Sequence, residues 1–88
     1  MDRNMTLNNL PILSGAYISS IDITSSMRRR LFDFGFTIGS RVTPLFKSPL
    51  GDPTAYEIMG SIVALRNDIA SKISITEHCP IVKMEADN

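Results

Sequence analysis

The sequence is short of the residues that stabilise or activate many small proteins: its 88 residues include one cysteine, one histidine and no tryptophan. A single cysteine forms no internal disulfide and no cysteine-based zinc site by itself, so packing must hold the fold together. Nine basic and nine acidic residues give a formal net charge of zero. This balance excludes a global field that would attract nucleic acid or an anionic membrane.

Long apolar runs are also missing, which bears on where the protein works. No run approaches the roughly 20 residues that a membrane-spanning helix needs. Asp2 accompanies Arg3 near the start, and the apolar "LPIL" is far shorter than the roughly 7 to 15 residues of a secretion signal. We expect one cytoplasmic domain over residues 6–76, with a frayed N-terminus at 1–5 and a C-terminal tail at 77–88.

Five segments have the composition of short strands, at 16–23, 41–48, around Tyr56, at 61–66 and at 72–76. Ser19 and Ser20 interrupt the alternation of the first strand and predict a bulge. Pro44 has no amide to donate, so it predicts an edge or bulged position at a sheet margin. The pattern is typical of a mainly β fold, a small five-stranded SH3-like barrel.

One helix is predicted after the first strand, and a single helical turn at 67–71 before the last. Thr24, Ser25 or Ser26 can cap the helix, and Gly35 suits the left-handed position just past its end. Met27, Leu31 and Phe34 recur at helical spacing and form its apolar stripe.

Two segments carry candidate binding residues. Arg28, Arg29 and Arg30 could hold phosphate or an acidic partner surface, or form a solvated helix face, and the sequence leaves both interpretations open. The stretch "SPLGDP" predicts a stiff hairpin end in which Gly51 takes positive φ and the Asp52 carboxylate bonds nearby amides. One carboxylate supplies neither an acid/base pair nor a coordination shell, so a turn-capping role is favoured for Asp52.

Other chemistry finds little support. His78 and Cys79 are adjacent and could bind iron, zinc or copper, but two ligands in a tail make a weak metal site. The aromatic residues are not interleaved with basic ones, which favours core and groove lining over stacking on nucleic acid. No nucleotide-binding or catalytic motif is present, so we expect no enzyme activity.

Several of these stretches together resemble the FeoA family. They are the strand from Gly15 to Ile23, "RRRLFDFGF" (28–36), "GSRV" (39–42), "SPLGDP" (48–53) and "IVALR" (62–66). The resemblance covers about Leu7 to Ile75. It implies an SH3-like barrel with a helix inserted after the first strand. It also implies a role in bacterial ferrous iron uptake, through binding of the GTPase-permease FeoB.

The resemblance leaves a second interpretation open, a metal- or anion-responsive regulatory module similar to the C-terminal domain of iron-dependent repressors. For the FeoB interpretation, the expected contact residues are Arg28, Arg29 and Arg30 on the helix, with Pro49, Leu50 and Asp52 in the turn. Association with Fe(II) or another transition metal would need several oxygen or imidazole ligands, and no cluster of them is evident, so no ligand is assigned. We expect a monomer or a weak homodimer.

Overall fold

A computed structural model describes residues 5–78 of the chain. They form an antiparallel sheet in the strand order β1-β6-β2-β3-β4-β5. The strands are β1 (Met5–Thr6), β2 (Ala16–Ile21), β3 (Arg41–Lys47), β4 (Thr54–Ile58), β5 (Ser61–Leu65) and β6 (Ile73–Thr76). The helices are α1 (Ser25–Asp33) and α2 (Asn67–Ala70), and a 3-10 turn spans Leu7–Asn9. The expected mainly β fold is confirmed.

The predicted number of strands was wrong by one. Met5 and Thr6 pair with Ile75 and Ser74 of β6, which adds a sixth strand and places α1 after the second strand and not the first. A two-residue strand carries no periodic signal, and its pairing becomes visible only once β6 is in place. Most of the expected frayed N-terminus, residues 1–4, and most of the expected tail, residues 79–88, lie outside the described residues.

Both strand irregularities predicted from the sequence are present. The pairing of β2 with β6 shifts register between Ile18 and Ser20, which confirms the bulge. The pairing of β3 with β4 shifts between Pro44 and Phe46, so Pro44 adjoins a bulge, although β3 is an inner strand and not at the sheet margin. The Pro44 carbonyl accepts a hydrogen bond from the Leu13 amide at 2.6 Å. The amide and carbonyl of one residue point to the same side of a strand, so an amide at position 44 would point to this loop and not to β4. Proline at this position therefore removes no hydrogen bond between β3 and β4.

A Gly35 turn sets how α1 joins the core. Gly35 has φ of 104°, and the amides of Phe36 and Gly35 donate to the carbonyls of Leu31 (2.9 Å) and Phe32 (3.0 Å). These two bonds form a Schellman motif, which turns the chain sharply at the helix end. Leu31 and Phe36 are each 1% exposed as a result, whereas Phe34 stays 45% exposed. Phe36 therefore anchors α1, a role that the helical stripe had suggested for Phe34.

The remaining core comes from the inner faces of the strands and from the 3-10 turn. Its largest fully buried side chains, apart from Leu31 and Phe36, are Leu7, Ile18, Pro44, Val42, Tyr56, Ile58 and Ile73. Burial of each large apolar side chain stabilises the fold by roughly 1.5–3 kcal/mol. With so small an interior filled by side chains, the surface is where function must be sought.

Truncation of the two phenylalanines should separate the anchor from its exposed neighbour. We expect Phe36→Ala to lower the free energy of unfolding by about 3–5 kcal/mol, because it empties a packed position. Phe34→Ala should cost about 1 kcal/mol or less, since much of its ring already faces water. Urea denaturation of both variants checks this, and equal losses would contradict the assignment of Phe36 as the anchor.

Tyr56 makes stability depend on alkaline pH. Burial raises the pKa of its phenol above the ordinary value of 10.0, and the charge of Asp52 raises it further, while a hydrogen bond with the Thr54 side chain acts in the opposite direction. The unfolded state therefore loses this proton first as pH rises. The stabilisation is fully present below pH 10.0 and is lost as pH rises through the folded pKa.

We expect Tyr56→Phe to flatten the alkaline fall in stability. The free energy of unfolding of both proteins is measured by urea denaturation at about pH 8 and about pH 11. The parent should lose more stability between the two conditions than the variant does. The same loss in both would show that Tyr56 does not carry the effect.

Candidate functional site

The arginine run lies on the exposed surface of α1. Arg28, Arg29 and Arg30 are all exposed, and none forms a salt bridge within residues 5–78. The Arg28 guanidinium donates to the Ile21 carbonyl at 2.8 Å, which ties the start of α1 to the end of β2. Arg28 thus has a structural bond, while Arg29 and Arg30 leave their donors free for a carboxylate or phosphate.

Exposed apolar side chains occur near the other end of α1. Phe32 is 62% exposed, Phe34 45% and Met59 73%. A Cβ atom added at Gly35 would lie 2.5 Å from Met59 Cγ, so the Met59 side chain lies across Gly35 and beside the helix end. Phe32 and Phe34 are two residues apart and therefore lie on different sides of the helix end. We call Phe32, Phe34 and Met59 together the helix-end cluster. With Arg29 and Arg30 one turn before it, α1 presents apolar and cationic groups together.

Sequence reasoning missed this cluster. The pattern of aromatic residues predicts core or groove lining for Phe32, and no pattern predicts a role for Met59. One signal was available: Met59 precedes Gly60 in a tight hairpin turn, where asparagine or aspartate is the usual residue. A methionine there gains nothing for the turn and exposes an apolar side chain.

The second candidate segment, residues 48–53, forms the loop between β3 and β4. Pro49, Leu50 and Asp52 are all exposed there, and Leu50 is 94% exposed at the tip. The Gly51 amide donates to the Ser48 carbonyl at 2.8 Å, and Gly51 has φ of 90°, as predicted. The loop is therefore bonded internally.

Asp52 also bonds beyond its own loop. Its carboxylate accepts a hydrogen bond from the Asn67 amide at 2.9 Å, and the Asn67 side-chain amide donates to the Gly51 carbonyl at 3.5 Å. Asn67 is the first residue of α2, whose N-cap residue Arg66 makes no side-chain cap bond. A carboxylate at a helix N-terminus accepts a hydrogen bond from a free amide and interacts favourably with the positive end of the helix dipole. This geometry is that of a remote cap and supports the structural interpretation of Asp52.

The structure separates the helix-end cluster from the 48–53 loop. The loop leads into the start of β4 at Thr54, whereas Met59 follows the end of β4 at Ile58. Five strand residues put these points about 13 Å apart. The helix-end cluster and the loop are therefore two separate surfaces.

No metal site forms within the described residues. No group of three His, Cys, Asp or Glu side chains lies close enough to hold an ion there. His78 is exposed, and Cys79 lies outside the described residues. A groove of about 390 Å³ lies between the chain before β2 and the end of β6, lined by Leu10, Pro11, Ala16 and Ile75 among others. None of the predicted binding residues lines it.

The sequence of this chain also matches a known protein family. A protein-family model described as the FeoA domain matches residues 5–77, nearly the whole described region. The chain belongs to the FeoA family. The resemblance identified from the sequence is thereby confirmed. None of the helices in the described region has the length and apolar character needed to cross a membrane.

One curated relative joins an FeoA domain to a much larger protein. The Fe(2+) transport protein A/Fe(2+) transporter FeoB fusion protein of Porphyromonas gingivalis (strain ATCC BAA-308 / W83) is 34% identical to this chain over 71 residues. The match covers 81% of this chain and 8% of that protein. The FeoA chain described above thus spans a small part of that relative.

Solved FeoA structures share the fold. The FeoA protein of Chlorobium tepidum is 31% identical with a TM-score of 0.77, over 81% of this chain and 68% of that one. FeoA of Stenotrophomonas maltophilia, solved with zinc and described as a prokaryotic SH3 domain protein, is 30% identical with a TM-score of 0.71. That match covers 82% of this chain and 89% of the other. The expected SH3-like class is confirmed, with six strands in place of five.

Removal of the remote cap should loosen α2. We expect Asp52→Ala to lower the free energy of unfolding by about 1 kcal/mol and to speed hydrogen exchange of the Asn67 amide. Asp52→Asn keeps an acceptor and should lose less. Glu57→Ala, an exposed carboxylate on β4, is the control and should stay within about 0.5 kcal/mol. Unchanged stability and Asn67 exchange in Asp52→Ala would rule out the capping role.

Proposed function

We propose that this FeoA chain is a cytoplasmic accessory protein that binds the GTPase-permease FeoB and regulates ferrous iron uptake. The observation that carries the proposal is the exposed surface of α1, where Arg29 and Arg30 stand beside the helix-end cluster. The fusion relative of Porphyromonas gingivalis supports the choice of partner, because it joins Fe(2+) transport protein A and the transporter FeoB in one chain.

Arginine, aromatic and methionine side chains are enriched at protein–protein interfaces. Guanidinium groups make paired bonds to carboxylates, and aromatic or methionine side chains provide apolar contact area. Phe32 and Met59 are more than half exposed, so a partner could cover them without rearranging the barrel. A partner surface that matches α1 would place apolar side chains on the cluster and carboxylates opposite Arg29 and Arg30.

The role of the 48–53 loop in this proposal is secondary. Leu50 is 94% exposed, and the Asp52 bond to Asn67 holds the loop in place. Because the loop and the helix-end cluster lie at opposite ends of β4, a partner that contacts only α1 does not reach Leu50. Pro49 and Leu50 remain candidates for a second contact with the same partner.

Charge reversal on α1 tests the docking surface. The full chain is titrated into full-length FeoB-type permease of the same organism, with and without a GTP analogue and ferrous iron, and binding is followed calorimetrically. We expect Arg29→Glu with Arg30→Glu to weaken binding about tenfold or more, because both changes oppose an acidic partner. Arg28 is left in place since its bond to Ile21 supports the fold.

A matched control changes the net charge equally at the loop end. Lys47→Glu with Arg66→Glu replaces two exposed cations near the 48–53 loop and should weaken binding less than the α1 pair does, because a second contact at the loop is the weaker candidate. Circular dichroism confirms that each variant is folded. Equal weakening by both pairs would mean that net charge and not α1 governs binding, and absence of saturable binding in every nucleotide state would refute the FeoB partner.

A further inference from the structure

Strand β5 is an outer strand of the described sheet, with β4 as its single neighbour. Its residues, Ser61–Leu65, include no charged residue and no proline. Free sheet edges are ordinarily protected by charges, proline, bulges or short length. The other outer strand, β1, has only two residues and is protected by its length. Within residues 5–78, β5 is therefore the unprotected edge.

The turn before β5 fixes its hydrogen-bonding pattern. Met59 and Gly60 have φ of 52° and 81°, values of a type I′ turn, and Ile58 pairs with Ser61 across it. In a two-residue hairpin of this type, the pair that flanks the turn exchanges two hydrogen bonds. Bonded and non-bonded pairs then alternate along the antiparallel ladder.

This alternation identifies the free backbone groups of β5. Ser61, Val63 and Leu65 direct their amides and carbonyls to β4. Ile62 and Ala64 direct theirs to the open edge, which leaves two donors and two acceptors without a partner in the described sheet. The side chains of Ile62 and Ala64 lie on the outer face, where Ile62 is 65% exposed. An added strand would satisfy these groups and cover Ile62.

We propose that β5 pairs antiparallel with β5 of a second copy of this chain, around a two-fold axis at Val63. In this register Ile62 of each copy lies opposite Ala64 of the other, and the two residues exchange both bonds. The dimer contains four such hydrogen bonds and one continuous sheet. A two-fold interface of this kind uses the same surface on both copies.

The strand is complementary to a second copy of itself in charge and side-chain size, which favours the second copy as its partner. The pairing brings no two like charges into opposition, because Ser61–Leu65 is uncharged and the whole chain has a formal net charge of zero. The register places Arg66, the first charged residue beyond the strand, opposite Gly60 of the other copy. Space around Gly60 is open, because no atom beyond Gly60 and its two chain neighbours lies within 4 Å of where its Cβ would be.

The test uses the full chain without any partner. Sedimentation equilibrium over a concentration series gives the dimer dissociation constant, and amide hydrogen exchange at low and high concentration reports on Ile62 and Ala64. Ile62→Pro removes an outward-pointing amide that β4 does not use, so the hairpin should keep its ladder. Ile62→Val is the matched control, and Ile62→Lys, which adds a charge to the edge, replaces the proline variant if that one is unfolded.

We expect the parent to dimerise as concentration rises, with exchange of the Ile62 and Ala64 amides slowed only at high concentration. Ile62→Pro should raise the dissociation constant about tenfold or more, since two of the four bonds are lost, and Ile62→Val less than about threefold. A parent that stays monomeric, or a proline or lysine variant that dimerises as well as the parent, would overturn the proposal. The same exchange measurement is repeated with the permease added, and protection of these amides by the permease and not by a second copy would also overturn the proposal.

Discussion

Bonding of β2 along both of its edges is the constraint on which the rest of the structure depends. One edge pairs with β6, and the other pairs with β3 at Ala16 and Tyr17. Beyond that pairing, the Ile18 amide donates to the Ser40 carbonyl and the Ile18 carbonyl accepts from the Gly39 amide. The bulge after Ile18 bends the strand, and the Ile18 side chain stays buried. Since α1 begins a few residues beyond β2, the end of this strand fixes where the arginines stand.

The β3–β4–β5 meander then gives the small domain two unlike ends. At one end, Met59 packs across Gly35, and apolar side chains adjoin the cationic surface of α1. At the other end, Asp52 bonds to Asn67 and makes the 48–53 loop continuous with α2. The first end exposes side chains that have no partner in the described chain. At the second end, the Asp52 carboxylate and the Gly51 carbonyl already accept hydrogen bonds from Asn67. This difference, more than charge alone, makes α1 the better docking surface.

Local sequence patterns predicted the features whose causes are local. The bulges near Ser19 and Pro44, the turn at Gly35 and the strands from β2 to β6 follow from alternation, proline chemistry and glycine conformation. The pairing of Met5–Thr6, the burial of Phe36 in preference to Phe34 and the bond from Asp52 to Asn67 depend on segments distant in sequence. The candidate residues were identifiable by type, but their division into two surfaces depends on the length and direction of β4, which no local pattern states.

The pairing of β1 with β6 has a consequence for how this domain can be built into larger proteins. Met5 lies opposite Ile75, so the polypeptide enters and leaves the domain on adjacent antiparallel strands at one place. A domain with neighbouring ends can be inserted into a surface loop of another protein, or attached at either end, without stretching the host chain. Such an insertion leaves the outer edge of β5 uncovered, because β5 and β1 are at opposite ends of the strand order.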